Sequence, residues 1–149
     1  MSFDLERFVS AQDLRGTGRS VYEDAVIELT AGRKRTHWMW YVFPQVRGLG
    51  SSPTSQHYGI SGAAEARAYL HHEVLGPRLN ECVDLVLAVP DRTADDIFGT
   101  VDAMKLRSSV TLFADVAGGD GPIDFTGVLD RYFDGDPDER TLGILRAQG

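Results

Sequence analysis

The sequence predicts a mainly α-helical fold, a single-domain bundle of six to eight short helices over residues 1–149 with at most minor β-structure. Apolar residues recur every three or four positions through most of the chain, which is the period of a helix and not of a strand. Serine, threonine and aspartate head several of these stretches with a carboxylate three residues on, the pattern that caps a helix N-terminus. Glycine- and proline-bearing breaks are frequent, so no element runs long.

The first helix is expected over residues 3–12, after Ser2, with Leu5, Phe8 and Val9 on one side; residues 13–19 (DLRGTGR) break it. Ser20 to Glu23 reads as a capping box, the serine oxygen accepting from first-turn amides and the glutamate reaching back. The helix it opens carries Val21, Ala25 and Leu29 to about Ala31, with Gly32 suited to the left-handed position that ends a helix. Residues 36–43 (THWMWYVF) are apolar on every side and β-prone, so strand and buried helix both stay open there, and Pro44 ends the run either way. Residues 47–62 (RGLGSSPTSQHYGISG) read as one long loop, a length that in a compact domain usually carries function or disorder.

Helix resumes at Ser61 with Ala64, Ala68 and Tyr69 on one side and pauses at His71 and His72. A further helix over residues 77–89 bears the stripe Leu79, Cys82, Val83, Val86 and Leu87, and Pro90 closes it. Thr93 with Asp96 caps a short helix, and residues 101–116 form another. Residues 117–123 (AGGDGPI) break the chain, residues 125–133 are amphipathic, and Asp136-Pro137-Asp138-Glu139 opens the last helix with proline at its first position.

Hydrophobic residues at 42% and charged residues at 25% match a globule, not a disordered, fibrous or membrane chain. No apolar run approaches the roughly 20 residues of a membrane span, and residues 1–10 lack the basic and apolar parts of a leader, so the expected location is cytoplasmic. The lone cysteine, Cys82, excludes an intramolecular disulfide and a thiolate zinc cage. No Walker A cradle, GxGxxG fingerprint or GxSxG elbow is present, and His72-Glu73 runs on to Val74-Leu75-Gly76 without completing HExxH. Adjacent His71 and His72 point about 100° apart on a helix and are poorly placed to share a metal. No metal and no cofactor is implied.

Net charge is −7, which argues against a duplex nucleic acid partner because such binders carry a basic face. The charge is unevenly spread. Between Glu28 and Glu65 there is no carboxylate, while Arg33, Lys34, Arg35 and Arg47 lie inside that interval; from Asp115 to Glu139, eight carboxylates face only Arg131. The acid-free interval also holds Trp38, Trp40, Tyr41 and Phe43, the polar His37 and Gln45, and the turn Gly48-Leu49-Gly50-Ser51-Ser52, with Tyr58 beyond it. Cations for phosphate charge, glycine-freed amides for phosphate oxygens and aromatic faces for a base are the parts a nucleotide-like ligand uses. Of two tryptophans two residues apart, at most one lines a pocket and the other packs the core. Separately, Asp102, Lys105 and Ser108 share one helix face, where the carboxylate would serve as general base and the lysine would stabilise an anion, or the two would form an ordinary surface pair.

Several strings are long and specific: Asp4-Leu5-Glu6-Arg7-Phe8-Val9, Gly32-Arg33-Lys34-Arg35-Thr36-His37-Trp38-Met39-Trp40 running into Phe43-Pro44-Gln45, Leu75-Gly76-Pro77-Arg78-Leu79, and Phe98-Gly99 with Asp102 and Lys105 through Ser108-Ser109. On these strings, which span almost the whole chain, the sequence resembles a bacterial domain-of-unknown-function family, some members of which carry a calpastatin label. The resemblance implies a small, mostly helical domain with no established activity. The label implies protease inhibition, but inhibitors of that type are disordered and this composition is not. The family is also distantly similar, in size and helical character, to N-glycosidase-like domains linked to ADP-ribose and nucleotide metabolism; no residue role is carried over from them.

The expectation is therefore a metal-independent enzyme acting on a nucleotide-like or phosphorylated metabolite, with N-glycosidic hydrolysis as its reaction. Arg33, Lys34, Arg35, His37, Trp38 or Trp40, Gln45, Gly48, Gly50, Ser51 and Tyr58 would bind the ligand, and Asp102 with Lys105 would move the proton. The alternative is a non-catalytic helical module that binds a protein or ligand, marked by an exposed apolar patch. The expected partner is an anionic small molecule, with no duplex nucleic acid and no membrane; the sequence sets no oligomeric state.

Overall fold

The computed structural model describes residues 3–16, 18–119 and 121–148. Among them are ten helices: α1 (Glu6–Asp13), α2 (Val21–Ala31), α3 (Met39–Val42), α4 (Pro53–His57), α5 (Ala63–His71), α6 (Leu75–Ala88), α7 (Ala94–Phe98), α8 (Thr100–Ala117), α9 (Phe125–Phe133) and α10 (Glu139–Gln148). The helical class holds, with β-structure limited to two isolated bridges, Arg15 with Ser20 and Val46 with Ile60. The expected six to eight helices become ten because α3 and α4 form where the sequence offered an ambiguous aromatic run and a loop. Ser2 lies outside the described residues.

The local signals explain the firmest elements. Ser20 Oγ accepts from the Glu23 amide at 3.1 Å and Glu23 Oε1 accepts from the Ser20 amide at 2.8 Å, closing the capping box of α2. Gly32 then ends that helix at φ 75, a left-handed conformation that a side chain would strain. Thr93 and Asp96 build the same reciprocal cap on α7. The final helix departs from expectation. It begins at Glu139, and the Leu142 amide donates to the Asp138 carbonyl at 3.2 Å, so Asp138 holds the cap position and Pro137 stays outside.

Helix α8 runs through the middle of the molecule and packs against α5, α7, α9 and α10. Its buried Ala103, Leu106, Val110, Leu112 and Phe113 form the spine of the core. Phe113 stacks on Phe125 at 5.6 Å and tilts against Tyr69 at 5.4 Å, and Tyr69 meets Phe8 edge-on at 5.2 Å. Cys82 is buried in α6, and burial pushes its thiol up to about 12, so it behaves as a core hydrophobe. The accessible surface of 7,796 Å² is close to the roughly 7,500 Å² expected for a folded monomer of this mass, and among the described residues the buried hydrophobics form one cluster.

Residues 33–38 have no helix of their own, and their polar groups converge on one carboxylate. Glu28 Oε1 accepts from the Arg35 amide at 2.7 Å, the Thr36 amide at 2.9 Å and the Trp38 indole at 2.9 Å, while Oε2 accepts from the Thr36 hydroxyl at 2.6 Å. Burial opposes ionisation of Glu28, yet these donors outweigh it and hold the carboxyl below its usual value. The indole of Trp38 is thereby sealed in the core against Phe43 and Phe98. Two residues on, Trp40 in α3 is left only partly covered.

The expected loop over residues 47–62 is instead a stapled segment. The Arg47 amide donates to the Ile60 carbonyl at 2.7 Å and the Ile60 amide to the Gln45 carbonyl at 2.8 Å, so its ends are tied together. Ser52 caps the single turn of α4. Arg7 reaches across from α1 to donate to the His57 and Gly59 carbonyls and to pair with the buried Glu65 at 2.9 Å.

Glu28 and Glu65 both have carboxyls held below the ordinary glutamate value, Glu65 by Arg7 and the Ser61 amide against an opposing burial effect. A depressed carboxyl contributes stability above its unfolded value and loses it as pH falls through its folded value. The urea midpoint should therefore change little between pH 7 and 5 and fall steeply below pH 4.5. Glu28→Gln, which keeps the size but loses the charge, should cost about 2 kcal/mol at pH 7 and flatten that acid limb. An unchanged acid limb in the variant would remove Glu28 from this role.

Candidate functional site

A cleft of about 340 Å³ lies between α8, α3, the start of α10 and the stapled 45–59 segment. Helix α8 supplies Val101, Met104, Lys105, Arg107 and Ser108; Trp40, Gln45, Leu49, Gly50, Tyr58, Asp138 and Arg140 complete most of the wall. Spacings of three and four place Val101, Met104, Lys105 and Ser108 on neighbouring positions of one helix face.

The cationic groups are held by neutral partners or shared. Lys105 Nζ sits 4.3 Å from the Trp40 ring centroid, a cation–π geometry, and 3.1 Å from Asp102 Oδ1. Arg107 donates to the Asp136 carbonyl at 2.8 Å and the Pro137 carbonyl at 3.1 Å; Arg140 donates to the Leu49 carbonyl at 2.8 Å. Among the described residues, the ion pairs leave Arg107 and Arg140 without a carboxylate partner. The lining contains three cations and one carboxylate, Asp138, in a chain of net charge −7.

Asp138 is itself tightly placed. Its Oδ2 accepts from the Ser108 hydroxyl at 2.9 Å and the Thr141 hydroxyl at 2.5 Å, and its amide donates to Thr111 Oγ1 at 2.9 Å. Its Oδ1 takes no hydrogen bond from the described residues. On the far wall, Tyr58 stands edge-on to Tyr41 at 4.7 Å, and burial pushes its phenol pKa up, keeping it neutral. The close backbone turn at Gly59 admits no side chain, because a Cβ there would meet the Ser55 carbonyl oxygen at 2.8 Å.

The structure brings Trp40, Gln45, Gly50, Tyr58 and Lys105 from the sequence reading together in this wall, whereas Gly48 and Ser51 fall outside the lining. Arg33, Arg35 and His37 are exposed and lie away from the cleft, because Glu28 holds the backbone between them. Lys34 points to α8, its Nζ 2.8 Å from Asp102 Oδ2. Asp102 therefore has one ammonium group on each oxygen; burial opposes its charge, but the two lysines hold its carboxyl below the usual range. It lies outside the lining and is a counter-ion tying the 33–38 segment to α8. Arg107, Ser108, Asp138 and Arg140 were not singled out as ligands; the i+3 step from Lys105 to Ser108 was the available signal.

A family model described as "Protein of unknown function (DUF1810)" matches residues 2–145. The crystal structure of the conserved hypothetical protein Rv1873 from Mycobacterium tuberculosis is 52% identical, with a TM-score of 0.88 over 97% of each chain. No curated protein matches this sequence. Among the described residues, no group of three or more histidine, cysteine, aspartate or glutamate side chains is placed to hold a metal ion, and no helix is long and apolar enough to cross a membrane.

Asp102→Asn should destabilise the protein by about 3 kcal/mol, because the Lys34 side chain, only 7% exposed, is left without its counter-ion. Lys105→Gln should cost under about 1 kcal/mol, its ammonium being more open to water. Urea unfolding of both variants checks the order; equal costs would contradict the anchoring role of Asp102.

Proposed function

The chain belongs to DUF1810, a family of unknown function, and we propose, from the chemistry of its cleft, that it binds a phosphorylated, nucleotide-like metabolite and hydrolyses its N-glycosidic bond without a metal. One observation carries this reading: Lys105, Arg107 and Arg140 converge beside Trp40 and Tyr58 in a cleft with a single carboxylate. Arg107 and Arg140, held by backbone carbonyls, carry charge for a phosphate to neutralise, and Lys105, shared between Asp102 and the Trp40 ring, stands beside them. The volume lies at the lower end of small-molecule sites and suits one ring with its sugar phosphate.

The same groups fit the demands of glycosidic hydrolysis. Breaking the bond between sugar C1′ and base nitrogen leaves positive charge on the sugar and the bonding pair on the base. In this reading Asp138, with Oδ2 fixed by Ser108 and Thr141, uses Oδ1 to take a proton from the attacking water and to face the developing cation. The water oxygen joins C1′, Lys105 protonates the departing nitrogen, and the proton taken by Asp138 returns through solvent to Lys105, restoring both groups. Asp102, 3.1 Å from the Lys105 ammonium, orients it and so supports the step without touching the substrate. The non-catalytic alternative draws on a different observation, the exposure of Val101 and Met104 at the rim.

Calorimetric titration with nucleoside 5′-monophosphates at low salt, followed by assay for free base, tests the proposal. Micromolar to millimolar binding should weaken as salt is raised and fall at least about tenfold in Arg107→Ala, with Arg35→Ala as the control outside the cleft. Asp138→Asn should lower base release about 100-fold or more. Binding without base release supports the non-catalytic module, and no binding by any nucleotide removes the ligand site.

A further inference from the structure

A cavity larger than the cleft, about 610 Å³, opens at the other end of α8. Helices α5 and α6 wall it through Leu70 and Pro77, the last turn of α8 contributes Val116 and Ala117, and Ile123 and Phe125 close it where α9 begins. It shares no lining residue with the cleft, and Val116 stands about 12 Å along α8 from Ser108. The corner between α5 and α6 is tight: a Cβ at the buried Gly76 would run into the Leu70 carbonyl oxygen.

The polar side chains of this lining are few, Arg67, His71 and Asn80, and no carboxylate among the described residues joins them. His71 Nδ1 lies 2.8 Å from the Arg67 carbonyl oxygen, which only accepts, so that nitrogen carries its hydrogen and spends it on the backbone. The head of α6 offers no free amides either. Those of Val74 and Leu75 donate to His72 Nδ1 at 3.1 and 3.2 Å, and that of Gly76 donates to the His72 carbonyl at 3.0 Å. Arg67 is the one lining side chain with a permanent charge, and the ion pairs of the described residues give it no carboxylate.

We propose that this cavity is a second ligand site, independent of the cleft, and that it takes a small apolar molecule ending in one carboxylate, in chemical class a medium-chain or aryl-substituted alkanoic acid. The volume falls within the range of small-molecule sites, which combine apolar walls with a few polar groups that orient the ligand. A guanidinium meets a planar carboxylate through two parallel hydrogen bonds, and a single permanent cation matches a head of single charge.

The probes are octanoate and its neutral counterpart 1-octanol, titrated into the intact protein and followed by backbone amide NMR. Octanoate should shift the Leu70, Gly76, Val116 and Ile123 signals saturably and leave those of Lys105, Ser108 and Arg140 in place. Octanol should bind at the same signals about fivefold more weakly, the worth of one charged hydrogen bond at a half-open site, and Arg67→Gln should remove that difference. Ala117→Trp fills the cavity from the half-exposed end of α8 and should weaken octanoate at least about tenfold while melting within a few degrees of the parent. Should that variant fold poorly, the signal map and Arg67→Gln decide by themselves. No saturable shift, or shifts confined to the cleft, would overturn the second site, and equal affinity for octanoate and octanol would overturn its carboxylate head. Each of these results leaves the nucleotide reading of the cleft untouched.

Discussion

A buried carboxylate with four donors around it decides where everything near the cleft can go. Glu28 sits at the end of a helix whose own backbone bonds are complete, and it gathers the amides and hydroxyl of a segment that has no regular partner. By taking the Trp38 indole as well, it turns one ring inward. The single turn of α3 then follows, and in it Trp40 meets Lys105 of α8 instead of the core. An apolar side chain at position 28 would leave the buried Trp38 indole N–H without its acceptor, an unmet bond that is costly.

The electrostatics of the cleft follow from a second carboxylate. Asp102 accepts Lys34 from the Glu28-held segment and Lys105 from its own helix. Of this trio only Lys105 lines the cleft, where Arg107 and Arg140 join it from other parts of the fold. Their guanidinium groups are oriented by carbonyls, which fix position without cancelling charge. In a chain rich in acids, three of the four charged side chains lining this cleft are cationic.

Legibility differed by the range of each signal. Capping boxes on α2 and α7 and the limits of α9 were readable because cap, stripe and stop are contained within a dozen residues. The short α3 was not, since a run apolar on all sides satisfies either period, and α4 has no apolar stripe to betray it, only the Ser52-Pro53 start. Half of the cleft was foreshadowed by the acid-free interval, which contributes Trp40, Gln45, Gly50 and Tyr58. Its other half comes from residues 101–108 and 138–140, and Arg140 follows directly on the most acidic stretch of the chain. Charge averaged along the sequence hid that cation, because the stapled segment and α10 meet only in three dimensions.

The most direct test of the central claim is nitrogen-detected or Nε–Hε NMR of the arginine side chains during titration with 5′-AMP. The account requires the Arg107 and Arg140 signals to shift together and saturate with one dissociation constant while Arg33 and Arg35 stay in place. Movement of Arg33 and Arg35 instead, or no saturable movement at Arg107 and Arg140, would contradict it.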